Sequence, residues 1–336
     1  MSGAEREAAV AAFLGRHGYG GARGVPLAAD ASLRRYVRLH GGPRPALLMD
    51  APPPEDVRPF LKVGGHLASV GLSVPAVFAA DEAAGLLLLE DFGDRILPAV
   101  MTAQGTPGLF DAAVDVLAAM QEAAPPSLPA WDAAAMAAAA CGTVMDWWWP
   151  AAFGDPAPPE ARAALANALD RTLAPLRDGP RVFVHRDYFA GNLMWLPERA
   201  GLRRMGVLDF QSAALGHPAY DLASLVEDAR RDLPPSLRER ALARLLAARP
   251  TLDREAMAAA VAICVAQRHL RVAGQWVRLA RRDGKPGYLA HGKRTWLLLE
   301  RAAAHPAAAP LAAFLEAWIP RERRGNPPEP GLRKTG

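Results

Sequence analysis

One segment in the middle of this 336-residue chain constrains its fold more than any other. Residues 182–195 read Val-Phe-Val-His-Arg-Asp-Tyr-Phe-Ala-Gly-Asn-Leu-Met-Trp, and residues 206–211 read Gly-Val-Leu-Asp-Phe-Gln. The pattern is that of a strand, a loop, a second strand, a turn at Pro197 to Gly201, and a third strand. The last two strands are predicted to form a hairpin, which returns Asp209 to the neighbourhood of Asn192.

Three polar residues lie at the ends of these predicted strands, and their order indicates a class of reaction. An aspartate five residues before an asparagine, with a second aspartate after a hairpin, is typical of phosphoryl transfer. That reaction needs a carboxylate to orient the acceptor hydroxyl and take its proton, and oxygen ligands that hold Mg²⁺ against the nucleotide phosphates. Asp187 fits the first role, and Asn192 and Asp209 fit the second. His185 is predicted to support the loop through hydrogen bonds.

The rest of the chain divides into a β-rich part and a helical part. Arg35 to His40 and Ala46 to Met49 predict a hairpin, residues 57–71 a helix, and residues 74–78 and 85–89 two further strands. From about residue 107 onward the apolar residues recur mostly at helical spacing. We therefore expect an α+β chain with a small lobe over residues 1–93, a larger helical lobe over residues 94–320, and a tail over residues 321–336 that does not fold.

Composition excludes several classes of protein. Hydrophobic residues make up 51% and charged residues 22%, which is a globular composition. The net charge is +4, but basic residues are spread through the chain and often lie beside acids, which argues against nucleic acid as a partner. The charged start of the chain does not resemble a signal peptide, so we expect a cytoplasmic protein with no membrane partner. Two cysteines, Cys141 and Cys264, are too few for a disulfide framework.

The motif around Asp187 and several other segments resemble a known family. The chain is similar to the aminoglycoside-phosphotransferase and choline-kinase-like superfamily. Within it, the chain is most similar to the anomeric kinases of cell-wall recycling, which act on N-acetylmuramate and N-acetylglucosamine. The matching segments span residues 30 to about 290 and are residues 30–36, 49–53, 58–60, 216–222, 267–270, 282–286 and 288–289. The resemblance implies a protein-kinase-like fold of two lobes, ATP and Mg²⁺ as cofactors, and transfer of the γ-phosphate to a small molecule.

The resemblance has departures. No lysine precedes Lys62, so the phosphate-anchoring lysine of most kinases is missing from the early strands, and no glycine-rich phosphate loop is present. Phe189 stands where relatives often carry histidine, and Gly191 where they tend to carry a polar residue. Asp-Phe-Gln, followed by Ser212, replaces the usual Asp-Phe-Gly, which argues against a flipping activation loop.

Other residues are candidates for binding. Arg34 and Arg35 are candidates for the nucleotide phosphates, because guanidinium groups suit phosphate oxygens, and Glu90 is a further candidate for nucleotide binding. Asp221 is predicted to cap a helix over residues 222–231 and, like His185, to support the loop. The candidates for acceptor binding are Glu227, Asp228, Gln267, Arg268 and His269, with the first two expected on a polar helix face.

Two alternatives to the sugar kinase remain open. The acceptor could be an aminoglycoside or another amino-alcohol, although a polycationic acceptor favours an acidic cleft and arginines near the acceptor region disfavour one. The chain could instead be a nucleotide-binding pseudokinase with a regulatory role, which the missing lysine, Phe189 and Gly191 would favour. Retention of Asp187, Asn192 and Asp209 favours an active enzyme.

Overall fold

The computed structural model describes residues 3–27 and 34–327. In chain order the helices and strands are α1 (Gly3–Arg16), β1 (Arg23–Pro26), β2 (Arg35–His40), β3 (Ala46–Asp50), α2 (Arg58–Ser69), β4 (Val77–Asp81), β5 (Leu86–Glu90), α3 (Leu97–Val100), α4 (Thr106–Glu122), β6 (Ala130–Trp131), α5 (Ala133–Thr143), α6 (Trp149–Phe153), α7 (Pro159–Leu173), β7 (Val182–Val184), β8 (Leu193–Trp195), β9 (Met205–Val207), β10 (Ala214–Gly216), α8 (Ala219–Val226), α9 (Pro235–Ala248), α10 (Arg254–Arg282), α11 (Gly292–Ala303) and α12 (Ala309–Trp318). The predicted α+β class, with a small β-rich part and a larger helical part, is confirmed.

The chain forms two compact units. The first contains the residues up to Ala112 together with Gly191–Ser212, and the second contains Ala113–Ala190 and the residues from Ala213 onward. A single boundary near residue 93 was expected from the sequence. The units instead have three boundaries, because the segment that carries β8 and β9 packs with the first unit although it follows much of the second in the chain.

A five-stranded antiparallel sheet forms the centre of the first unit, in the order β1-β2-β3-β5-β4. The predicted hairpin of β2 and β3 is confirmed, with Val37 opposite Leu48. Helix α1 covers one face of the sheet, where Phe13 packs with Leu48 and Leu88. Such apolar burial is the main favourable term in the stability of the unit.

The strand predicted over residues 74–78 begins later than expected. Strand β4 starts at Val77, because Pro75 has no backbone N–H to give to a sheet. Ser73, just before it, instead accepts a hydrogen bond from the backbone N–H of Val207 at 2.8 Å. The helix predicted over residues 57–71 is confirmed as α2.

Helix α10 is the central element of the second unit. It has sixteen buried residues along its length and contacts α5, α8 and α11. A π-helical turn, Val144–Trp148, follows α5, and Gly274 of α10 lies against it so closely that a Cβ atom there would be 2.3 Å from the carbonyl oxygen of Thr143. Helix α10 is long and apolar enough to pass a length-and-composition test for a membrane span, but 67% of its most apolar window is buried inside the protein.

Two predictions about the second unit are corrected by the structure. The helix expected over residues 222–231 is α8, which ends at Val226, and Asp221 lies within its first turn instead of capping it. The tail was expected not to fold from residue 321 onward. Residues up to 327 are instead packed: the guanidinium of Arg324 is 3.0 Å from the carboxylates of both Glu300 and Glu316, and Trp148 donates to the carbonyl of Gly325 at 3.1 Å. Residues 328–336 lie outside the described residues.

Candidate active site

The loop that carries Asp187 begins at the end of β7 and ends at the start of β8. Strand β7 consists of three fully buried apolar residues and pairs with β10, so the start of the loop is held by the core of the second unit. The chain passes into the first unit after Ala190. Asp187 therefore belongs to the second unit, and Asn192 and Asp209 belong to the first.

Asp221 holds the first two residues of this loop. Its carboxylate accepts hydrogen bonds from the backbone N–H groups of His185, at 2.6 Å, and Arg186, at 2.9 Å. Asp221 has no exposed surface, and its burial raises the pKa of the carboxyl to about 6 despite these hydrogen bonds. Because every residue of α8 is buried, the position of the carboxylate is fixed by the packing of the whole helix.

The backbone of Arg186 is strained. Its φ angle is 75°, in the left-handed region, which costs about 1–3 kcal/mol for a residue other than glycine. The hydrogen bond from its N–H to Asp221 holds this conformation, and the ring of Trp131 lies 4.0 Å from its guanidinium carbon. The turn that results directs the chain from β7 toward Asp187.

His185 is in a position to support the loop, as the sequence suggests. It has no exposed surface, and its Nδ1 accepts a hydrogen bond from the backbone N–H of Asp187 at 3.3 Å. Its ring contacts the edge of Tyr188, whose hydroxyl donates to the carbonyl of Ala113 at 2.8 Å. The support role of His185 stays a prediction until it is tested by substitution.

Asp187 is surrounded by cations. Its side chain is 43% exposed, and Arg268 lies 3.4 Å from Oδ1. Arg268 also donates to the carbonyl oxygen of Arg186 at 2.9 Å, so one guanidinium contacts both the carboxylate and its loop. Burial alone would raise the pKa of the Asp187 carboxyl, but Arg268 and Arg271 outweigh it and the pKa is lowered. The carboxylate is therefore ionised at neutral pH and able to accept a hydrogen bond from a hydroxyl.

Asn192 and Asp209 come together on the predicted hairpin. Strands β8 and β9 pair antiparallel with Leu193 opposite Val207, which confirms the hairpin. The backbone N–H of Leu208 donates to the carbonyl of Asn192 at 2.9 Å, and the amide of Asn192 lies 3.5 Å from Oδ2 of Asp209.

The backbone conformation of Asp209 and the packing of the next residue, Phe210, set the direction of the Asp209 side chain. Its φ angle is 58°, the second left-handed value outside glycine among the described residues. The ring of Phe210 packs 4.7 Å from that of Phe60 on α2 and lies close to Gly64, where an added Cβ atom would be 3.1 Å from the ring. Burial of Phe210 therefore turns the carboxylate of Asp209 toward solvent, where it is exposed.

The oxygen atoms of Asn192 and Asp209 suit Mg²⁺. Among residues 3–27 and 34–327 there is no cluster of three or more His, Cys, Asp and Glu side chains of the kind that forms a closed metal site. Magnesium is usually held by one or two protein oxygens, with substrate phosphates and water completing the shell. One amide and one carboxylate side by side fit that mode, and the role of both residues as metal ligands remains a proposal.

The candidates for nucleotide binding lie in the first unit. Arg34 is 3.0 Å from the carboxylate of Glu55, whereas Arg35 is exposed at the start of β2. Burial raises the pKa of the neighbouring Tyr36 to about 12; the negative charge of Asp209 also raises it, whereas Arg34 lowers it. Tyr36 thus senses both the Arg34 guanidinium and the carboxylate of Asp209.

Glu90, at the end of β5, is engaged by the protein itself. Its carboxylate pairs with Arg199, which also donates to Ser73 at 2.8 Å, and its backbone N–H donates to the carbonyl of Ala76 at 2.8 Å. The nucleotide-binding role of Glu90 stays a prediction, as do those of Arg34 and Arg35.

Glu227 and Asp228 are not on a solvated helix face as expected. They are 6% and 3% exposed, because α8 ends at Val226 and the chain turns inward. Glu227 pairs with Arg301 and Arg238, and Asp228 pairs with Arg231 at 2.7 Å. Both carboxylates are thus neutralised inside the second unit.

The acceptor-binding role expected for Gln267 and His269 also needs correction. Neither has exposed surface with which to contact an acceptor. Gln267 donates to the carbonyl of Met136 at 2.7 Å, and Nδ1 of His269 lies 2.8 Å from the carbonyl of Val265. Arg268, between them in the sequence, contacts Asp187, and its acceptor-binding role stays a prediction.

Arg271 is a residue near Asp187 that the sequence interpretation missed. It follows Arg268 by three residues on α10, and residues at that spacing share a helix face. The spacing was visible in the sequence, but only the structure shows that this face of α10 lies beside the loop of Asp187.

Comparison with known proteins gives the class of the molecule. The model of the phosphotransferase enzyme family matches residues 23–260, and the chain belongs to that family. A choline/ethanolamine kinase family protein from Mesorhizobium loti has the same fold, with a TM-score of 0.66 at 16% identity over 93% of this chain and 99% of that one. A thermostable aminoglycoside phosphotransferase mutant, solved with ADP and hygromycin B, has a TM-score of 0.59 at 18% identity over 87% of this chain and 98% of that one.

A curated relative is much more similar in sequence. The N-acetylmuramate/N-acetylglucosamine kinase of Caulobacter vibrioides is 40% identical, with 95% of this chain and 98% of that protein aligned. The resemblance seen in the sequence motifs is thereby confirmed. The chain is a kinase of this family, with the kinase-like fold that the sequence predicted.

Proposed function

We propose that the protein is an ATP- and Mg²⁺-dependent kinase that transfers the γ-phosphate to the anomeric hydroxyl of N-acetylmuramate or N-acetylglucosamine. The name of the Caulobacter relative, an N-acetylmuramate/N-acetylglucosamine kinase, supports the choice of acceptor, and the ADP bound in the aminoglycoside phosphotransferase supports the nucleotide. We further propose that the enzyme acts in the cytoplasm, where ATP is supplied.

The observation that carries the proposal is the environment of Asp187. An ionised carboxylate held by a well-fixed loop can orient the acceptor hydroxyl and accept its proton. Arg268 and Arg271 keep the carboxylate ionised, and Asp221 and His185 keep the loop in shape. Phosphoryl transfer depends mostly on such positioning, because the transition state is loose.

The first unit is proposed to hold the nucleotide. Asn192 and Asp209 would bind Mg²⁺, which when present neutralises charge on the phosphates. Arg34 and Arg35 would contact phosphate oxygens in place of the absent lysine, because β3 carries only apolar residues before Asp50. Glu90 stays a candidate at the end of β5.

The charge near Asp187 favours the amino sugar over an aminoglycoside. Arg186, Arg268 and Arg271 all lie close enough to lower the pKa of Asp187. A polycationic acceptor would be repelled there, whereas a neutral or anionic sugar would not.

The test is ADP release with ATP and Mg²⁺ in the presence of each acceptor. We expect turnover with N-acetylmuramate and N-acetylglucosamine and none above background with kanamycin or choline. Turnover restricted to kanamycin or choline would contradict the proposed acceptor class while leaving the kinase reaction in place.

A further inference from the structure

The guanidinium of Arg230 lies against three aromatic rings, one of which belongs to the loop of Asp187. Its central carbon lies 4.4 Å from the ring centroid of Phe189, 5.4 Å from that of Trp276 and 5.9 Å from that of Tyr288. Phe189 is only two residues after Asp187 in the chain. We call Arg230 and these three rings the arginine cage.

The cage is held in place by hydrogen bonds that do not use the guanidinium. Trp276 stacks on Tyr288 with ring centroids 5.3 Å apart, and its indole N–H donates to the hydroxyl of Thr295 at 2.9 Å. The backbone of Arg230 is fixed at both ends. Its N–H donates to Asp228 at 2.8 Å, and its carbonyl accepts from Arg294 at 3.1 Å.

The acids nearby are paired with other arginines. Asp228 is 2.7 Å from Arg231, Asp232 pairs with Arg294, and Glu227 pairs with Arg238 at 2.8 Å. Over the described ranges, by contrast, no carboxylate or carbonyl accepts a hydrogen bond from the guanidinium of Arg230, which has rings as its neighbours and remains partly exposed.

This arrangement leaves the planar edge of the guanidinium for an anion from outside. Rings against the faces of a guanidinium satisfy its cation–π attraction and orient it, but they accept none of its five N–H groups in the plane. A carboxylate matches two of those donors at once, which makes it the preferred partner of a fixed guanidinium edge. The rings restrain the side chain, so little entropy is lost when it binds.

We propose that Arg230 binds a carboxylate of the acceptor, and that it thereby determines the preference of the enzyme between its two sugars. This rests on the proposed function, under which N-acetylmuramate carries a lactyl carboxylate and N-acetylglucosamine carries none. Arg230 is then a specificity-determining residue. It recognises one acceptor by charge while the reacting hydroxyl is oriented elsewhere, by Asp187.

The test compares three acceptors that differ in this group: N-acetylmuramate, its methyl ester and N-acetylglucosamine. Arg230→Gln should lower kcat/KM for N-acetylmuramate by about ten-fold or more, because a charge-assisted bidentate contact is lost. For the ester and for N-acetylglucosamine, kcat/KM should stay within about two-fold of wild type. Arg230→Lys keeps the positive charge but loses the two parallel N–H donors. Its kcat/KM for N-acetylmuramate should therefore lie between those of wild type and Arg230→Gln.

The control is Arg177→Gln, which removes the same charge from an exposed pair with Asp170 in the same unit. It should leave all three acceptors unchanged. Equal losses on the three acceptors in Arg230→Gln would overturn the proposal, since they would mean that Arg230 supports the structure. So would unchanged kinetics with N-acetylmuramate, or a rise confined to the KM for ATP. If wild-type enzyme phosphorylates none of the three, the proposed function itself fails, which is visible before any variant is made.

Discussion

Arg268 contacts both the carboxylate of Asp187 and the backbone of the loop that carries it. Two separate functions follow from this geometry. The charge lowers the pKa of Asp187, and the hydrogen bond to the carbonyl of Arg186 fixes where that carboxylate lies. The side chain itself is only 10% exposed, so we propose that it acts mainly through Asp187. Arg268 is therefore a positioning residue.

Replacing Arg268 with Gln separates these functions through the pH profile. Removing the cation should raise the pKa of Asp187, so the acid limb of kcat/KM should move to higher pH. We also expect kcat to fall by about ten-fold or more, because a misplaced general base loses much of its effect. The profile is measured with N-acetylglucosamine, which has no carboxyl group of its own. Loss of activity with no change in the acid limb would contradict the electrostatic part of this role.

Replacing Asp221 with Asn tests the support of the loop. An amide oxygen can accept one N–H, but the amide NH₂ would face the other, so one buried donor loses its partner. We expect a loss of about 1–3 kcal/mol in the free energy of unfolding and a fall in kcat. Asp170→Asn, at an exposed carboxylate, is the matched control and should change neither.

The same variant also tests the titration of Asp221. Its pKa is about 6 in the folded protein and about 3.9 in an unfolded chain, so the folded state holds the proton more tightly. Protonation of Asp221 therefore stabilises the folded state. This stabilisation is fully present below about pH 4 and is lost as the pH rises through about 6. The free energy of unfolding of both proteins is measured with urea at pH 5 and pH 7.5. Between pH 5 and pH 7.5 it should fall more for wild type than for Asp221→Asn. A constant difference would mean that the carboxyl does not titrate in this range.

For single residues, the sequence was informative where they form a motif. It did not predict where isolated charged residues lie. Asp187, Asn192 and Asp209 could be selected because their spacing has a chemical reason, and the hairpin brings the last two together. Glu227 and Asp228 could not be placed, because their burial depends on where α8 ends and on arginines as distant in sequence as Arg301. The arginine cage has no sequence signature, since its members are spread from Phe189 to Tyr288.

Among the elements, most of those predicted were present but their ends were often misplaced, and α1 and β1 were not predicted. The hairpin of β8 and β9 was visible from its turn residues, and the helical character of the chain after residue 107 from apolar periodicity. The end of α8 and the start of β4 depend on what each segment packs against, which a local pattern does not contain.

The contact between α10 and the π-helical turn gives a prediction about packing. Gly274→Ala would place a Cβ atom 2.3 Å from the carbonyl oxygen of Thr143, so one backbone must move. We expect a loss of about 1–3 kcal/mol, which thermal unfolding would detect. Gly65→Ala in α2 is the matched control, because no atom lies within 4 Å of its added Cβ. That change should be neutral or stabilising, by up to about 1 kcal/mol. Equal effects at the two positions would contradict the close-packing explanation.

At the scale of the whole molecule, the division of the chain was the hardest feature to predict. A boundary drawn along the sequence cannot show that Gly191–Ser212 belongs with the first hundred residues, because that depends on Ser73 pairing with Val207 and on Phe60 packing against Phe210. The family, in contrast, could be recognised from short segments, since chemistry fixes their spacing.

The most direct measurement is phosphorus NMR of the product formed from ATP, Mg²⁺ and N-acetylglucosamine by wild type and by Asp187→Asn. We predict a sugar phosphate signal split by the anomeric proton with wild type. The variant should give no such signal while its thermal unfolding temperature stays the same. Near-normal product formation by Asp187→Asn, or phosphate on a different hydroxyl, would contradict the proposed reaction.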